Sequence, residues 1–167
     1  MIRLLLLLQA CPAEQLGVEV PAGGVDRISA EDLQRDVYAL TRPDADAGSV
    51  FAKRMGQMHL SAELTGDGRV CARREGAGPA RVVVAPWAPG DIPAMTQAAV
   101  LISVAKGWDG QAPPKRTTWL CLATADAALP EGERIPLTVT VVADRIEAID
   151  YRVVREATVA WFAALDL

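Results

Sequence analysis

Arg81-Val82-Val83-Val84-Ala85-Pro86-Trp87-Ala88-Pro89-Gly90-Asp91-Ile92-Pro93 is the stretch on which the fold turns. Three consecutive valines without polar alternation suit a strand covered on both faces, as in a central parallel sheet. Pro89-Gly90-Asp91-Ile92-Pro93 then reads as a turn. Over residues 94–106, Met95, Ala98, Ala99, Ile102 and Ala105 recur at helical spacing, with Gly107 as the expected C-cap. Residues 117–123 and 137–143 are β-rich and apolar in the middle. Strand, helix, strand, strand with short connections is the grammar of an α/β layer fold.

Upstream, Ser29 can cap a helix whose first turn carries Glu31 and Asp32, with Ile28 and Leu33 placed as a hydrophobic staple. Leu33, Val37 and Leu40 make its apolar stripe, and Pro43 stops it. A second helix is expected over residues 49–58, with Val50, Phe51, Met55 and Met58 inward. Glycine-marked turns at residues 65–68 and 75–79 bracket a strand at 69–74. That strand and the one at 81–85 are expected as a hairpin or a neighbouring pair. Residues 147–165 read as a final helix with Ile149, Val153, Ala157, Ala160, Trp161 and Ala164 on its inner face.

The 167 residues, 51% of them apolar and with a net charge of -4, suffice for one domain with a real core. No Lys/Arg cluster is larger than Arg73-Arg74 or Lys115-Arg116, and the absence of a basic stripe argues against a nucleic-acid surface. Met1-Ile2-Arg3, five leucines and Gln9-Ala10-Cys11-Pro12 look like a lipoprotein signal, in which Leu8-Gln9-Ala10-Cys11 resembles a lipobox and Cys11 takes the lipid. The organisation is then a signal at 1–10, a linker at 11–27 rich in Pro and Gly, and a single α/β domain at 28–167. The alternative is a cytosolic α/β module whose leucine run is a buried strand or helix. Cys71 and Cys121 fall on presumed strands far apart in sequence and are expected as buried free thiols. Cys121, between Leu120 and Leu122, reads as a core thiol and not a nucleophile.

The stretch from Arg81 to Ala127 resembles the M28 family of zinc aminopeptidases in its strand, turn, helix and Arg116-Thr117 strand. In that family the first strand leads to a His-aromatic-Asp triplet, an Asp-Asn turn opens the helix, and the Arg-Thr strand ends in a Glu-Glu pair. Here Pro86-Trp87-Ala88, Ile92-Pro93-Ala94 and Asp126-Ala127 stand in those places. A shift of a residue or two brings Asp91 to the bridging position. The resemblance implies a three-layer sandwich with a short mixed sheet, like a truncated zinc-exopeptidase domain.

It also implies a missing metal site, because a co-catalytic zinc pair needs imidazole and carboxylate ligands together. The chain has one histidine, His59, where no family ligand falls. No Gly-x-Ser-x-Gly elbow, phosphate loop or Cys-x-x-Cys motif offers another chemistry. Asp109, Asp126 and Glu131 are expected near the C-terminal strand ends as solvated loop carboxylates. The expected function is a non-catalytic, lipid-anchored envelope protein without cofactor, a structural or binding subunit among other envelope proteins. Trp87 and Trp108, with Asp91 and Asp126, would rim a cleft that holds a peptide or a partner. The enzymatic alternative is a metal-dependent peptidase with an atypical site at Asp91 and Asp126.

Overall fold

The computed structural model describes residues 24–112 and 115–166; the signal, Cys11 and most of the linker lie outside the described residues. Ser29 accepts the Asp32 amide at 3.1 Å and opens α1 (Ala30–Thr41), which buries Leu33, Val37 and Leu40 as the stripe requires. The helix ends two residues before Pro43, whose ring disfavours helical backbone in the residue before it. Helix α2 (Ala47–Gln57) starts earlier than expected because Asp46, not Ser49, is its cap, accepting from the Gly48 amide at 3.2 Å. Ser49 instead donates to the Asp46 carboxylate.

A strand that hydrophobic patterning did not reveal, β1 (Ser61–Thr65), pairs antiparallel with β2 (Arg69–Arg74). Gly68, at φ +82, occupies the left-handed turn between them and leaves no room for a side chain beside Thr124. Strand β3 (Gly78–Pro86) leads into α3 (Ile92–Trp108), which returns the chain to β4 (Arg116–Ala123), parallel to β3. The short β5 (Glu133–Pro136) closes the far edge, and the order is β1-β2-β4-β3-β5. The expected pairing of β2 with β3 is therefore wrong. The connection between them skips one place, and the crossover through α3 lays β4 into it.

Residues 137–143 form no strand. The Leu137 amide makes one last bond to the Val84 carbonyl (2.8 Å), after which Leu137 and Val139 bury into the helical core. Their alternation reflects burial without a partner strand. The last helix, α4 (Tyr151–Asp166), begins after a 3-10 turn at Ile146–Ala148, so Ile149 precedes it. Counting from Ile149 set the phase of the apolar face wrongly: Val154, Thr158, Phe162 and Leu165 are buried, while Val153 is 55% exposed. Gly107 is likewise no cap. It lies inside α3, where an added Cβ would meet the Phe162 ring at 2.7 Å, and the left-handed residue after the helix is Gly110.

Helix α3 is buried almost all round, with the sheet on one side and α1 on the other. Alongside it, α2 lies over β1 and β2, and α4 packs on α1 and α3. The described residues thus make a mixed α/β fold with a five-stranded mixed sheet and four α-helices, layered as sheet, α3, then α1. The helical core meets one sheet face through Val70, Ala72, Val83, Ala85, Leu120 and Leu122. On the other face Cys71, Val82 and Cys121 cluster under Trp119 and Leu129, and Arg69 donates to the Ala128 carbonyl at 2.6 Å. Both faces of the valine run are covered, as the missing alternation implies. Cys71 and Cys121 stand directly opposite in the β2–β4 register and form a disulfide, which corrects the expectation of free thiols.

Candidate functional site

Open α/β sheets place ligands beyond the carboxyl ends of their parallel strands. At that edge Pro86 ends β3, and the Trp87 amide bonds to the Ala123 carbonyl at 3.0 Å. Trp87 is half-buried and packs on α2 so closely that a Cβ at Gly48 would lie 2.8 Å from its ring. Its indole fills space between the sheet edge and α2. Asp91 accepts the Ala94 amide at 2.9 Å and is the N-cap of α3, with Pro93 in the first turn where a missing amide costs nothing. Asp126 is exposed in the turn after β4. Three of the four contact residues expected from the sequence therefore share this edge.

Trp108 does not. It ends α3, 17 residues along a helix that runs back across the sheet, about 25 Å at 1.5 Å per residue. The two tryptophans sit at opposite ends of the domain and rim no common cleft. Asp109 follows Trp108 to the far edge, where it pairs with Arg27 at 2.6 Å, so it does not join Asp126 and Glu131. His59 is exposed and takes left-handed backbone (φ 60) just past α2, its amide bonded to the Gly56 carbonyl. Among the described residues no three His, Cys, Asp or Glu side chains gather where they could hold a metal ion.

The far edge holds a recess of about 620 Å³ that sequence reasoning missed. Its walls are the turn after α2, the first residues of β1, the last of β2, and the loop after α3. Arg73 lies on the outer face of β2 with its guanidinium 5.4 Å from the Trp119 ring centre. That guanidinium forks the Glu75 carboxylate at 2.9 and 3.1 Å. Arg74 faces the other way, 5.3 Å from the Trp108 ring, and donates to the carbonyls of Gln111 (3.1 Å) and Ala112 (2.8 Å). Trp108 is 2% exposed and its Nε1 has no hydrogen-bond partner among the described residues. The signal in the sequence was Arg73-Arg74: side chains alternate across a strand, so adjacent arginines reach two tryptophans on opposite faces.

No protein-family profile matches the chain, and no curated protein does. Among solved structures it is similar to glutaminyl cyclase from Porphyromonas gingivalis (13% identity, TM-score 0.45), over 59% of this chain and 46% of that one. It is also similar to Bacteroides thetaiotaomicron glutaminyl cyclase bound to N-acetylhistamine (11% identity, TM-score 0.46; 64% and 51%). A leucine aminopeptidase precursor from Bacteroides thetaiotaomicron has 11% identity and a TM-score of 0.46, over 66% and 53%. The chain spans about half the length of these proteins, and likenesses of this strength fix neither its family nor its activity.

Proposed function

We propose that this chain is a non-catalytic, exported domain, a degenerate relative of the M28 zinc aminopeptidases. It is held to the cell envelope through an acylated Cys11 and serves as a structural or binding subunit of a larger assembly. The observation that carries the reading is the chemistry of the carboxyl edge of the parallel strands. Pro86, Trp87 and Ala88 occupy it, and its one carboxylate at the helix start, Asp91, is engaged in capping α3. Such a set offers no imidazole and no paired carboxylates to hold a metal or activate water.

The Cys71–Cys121 disulfide supports export, since disulfides persist mainly in oxidising compartments. Intact-mass measurement of the chain taken from its native cells tests the anchor and the compartment together. A diacylglyceryl-modified Cys11 at the N-terminus, with Cys71 and Cys121 oxidised, is the expected result. A chain that keeps Met1, an unmodified Cys11 and free thiols contradicts it.

A further inference from the structure

We propose that the chain pairs with a second copy of itself through residues 137–143, the segment after β5, as antiparallel strands about a two-fold axis at Val139. The pairing goes beyond the anchored, non-catalytic role proposed above and is independent of it, since it uses neither Cys11 nor the residues that stand in place of a metal site.

The segment has the properties of a strand except a neighbour. It runs without turn or bend, and burial alternates along it: Leu137 and Val139 are buried and Val141 and Ala143 partly so, while Thr138, Thr140 and Val142 are exposed. Thr138 to Val142 are all β-branched, which suits extended backbone. Leu137 turns its amide to Val84 of β3, so strand geometry turns the amides of Thr138, Thr140 and Val142 to the other side. Among the described residues those three amides have no hydrogen-bond partner. The Thr138 carbonyl accepts from the Trp161 indole at 3.2 Å, which leaves its second lone pair open. Proteins ordinarily blunt a free strand edge with charges or proline. β5 does so with Glu133, Arg134 and Pro136, whereas residues 137–143 carry neither. Val142, 92% exposed, is the most exposed large apolar side chain among the described residues.

Charge complementarity identifies the occupant as a second copy. With Val139 on the axis, Thr138 faces Thr140 of the second copy and exchanges both backbone bonds with it. Val142 faces the second copy's Pro136, which accepts from it and has no amide to leave unpaired. Arg134 then faces the second copy's Asp144. Both are exposed, and neither is in an ion pair among the described residues. The next pair, Glu133 with Arg145, is again opposite in sign. The two-fold axis repeats every one of these contacts. Sliding the strands by one ladder step in either direction sets Arg134 against Ile146 or Val142, so the charges select one register. Val139 and Val141 of both copies stay on the helical side, and the two sheets continue as one.

Sedimentation equilibrium of the purified full chain over a concentration series is the test, and a reversible two-chain species is expected. Thr140→Pro deletes an amide that has no partner in the single chain but donates in the pair, twice over by symmetry, and should weaken association at least about ten-fold. Arg134→Asp replaces attraction by repulsion at two places and should weaken it about ten-fold, as should Asp144→Arg. The double variant, with the charges exchanged, should return to the parent value. A merely structural role for either residue would not produce that rescue. Should Thr140→Pro fail to fold, the charge exchange at two exposed positions carries the test alone. A single-chain mass throughout the series would mean that the segment awaits a strand of another protein, and would overturn the proposal. Association that folded Thr140→Pro leaves intact, or that the double variant does not restore, would place the contact elsewhere and overturn it as well. None of these outcomes bears on the Cys11 anchor, which the mass measurement decides separately.

Discussion

Asp36 is 0% exposed on the inward side of α1, with Lys106 of α3 at 3.0 Å from one oxygen and Arg54 of α2 at 3.0 Å from the other. One carboxylate therefore ties three helices. Lys106 and Arg54 are themselves 19% and 27% exposed, so removing the acid leaves two largely desolvated cations facing each other. Asp36→Asn should cost about 3 kcal/mol, the usual penalty for breaking a buried pair by removing one partner. Urea denaturation measures it, and a change below about 1 kcal/mol would show that water reaches the site. The disulfide acts at the same scale. It closes a loop between residues 50 apart, and replacing both Cys71 and Cys121 by Ala should remove about 2–4 kcal/mol of stability. An unchanged denaturation midpoint would argue against it. Neither feature was legible in the sequence. Asp36 falls between Leu33 and Val37 and looks like a solvated helix acid until α2 and α3 close over it. The cysteines meet only because β4 inserts beside β2, and strand order leaves no mark on local pattern.

Among the elements, those whose signals are local were legible: the Ser29 cap of α1, the strand and helix from β3 into α3, and β4. Those set by tertiary pairing were not, as with β1, the unpaired segment after β5, and the face of α4. Beside its packing on α1 and α3, that last helix is held by contacts around its start. The Tyr38 hydroxyl of α1 donates to Glu147 at 3.0 Å, and the Tyr151 hydroxyl donates to the Ile146 carbonyl at 3.2 Å. Hydrogen bonds from its own backbone amide and from Tyr38 hold the Glu147 carboxyl below its usual range. The same bond and the Glu147 charge raise the Tyr38 phenol. Burial pushes Tyr151 up to about 12, with the nearby Tyr38 and Glu147 adding to the shift.

Both phenols therefore hold their protons more firmly folded than unfolded. Their contribution is complete below the unfolded value of about 10 and is lost as pH rises through the folded values. For Tyr151 the window runs from about pH 10 to about 12. Titration of phenolate absorbance should show both tyrosines ionising late, one of them near pH 12. A single transition of both at about pH 10 would mean that the turn before α4 is open to solvent.

At the scale of the molecule, the two ends of the sheet differ in chemistry. The carboxyl edge of the parallel strands, where a peptidase would hold its metal, is occupied by Pro86, Trp87 and Ala88 with Asp91 engaged at the start of α3. The opposite edge collects arginines and tryptophans around a recess. The sequence pointed to the first edge because strand, turn and helix there are contiguous. The second is assembled from four separate segments and could not be seen until they were brought together. Zinc content and aminopeptidase turnover of the purified intact chain, measured on one sample, test the central claim most directly. Zinc well below one per chain and no turnover above background are the predicted results. Stoichiometric zinc, with turnover that Asp126→Ala abolishes, would contradict the account.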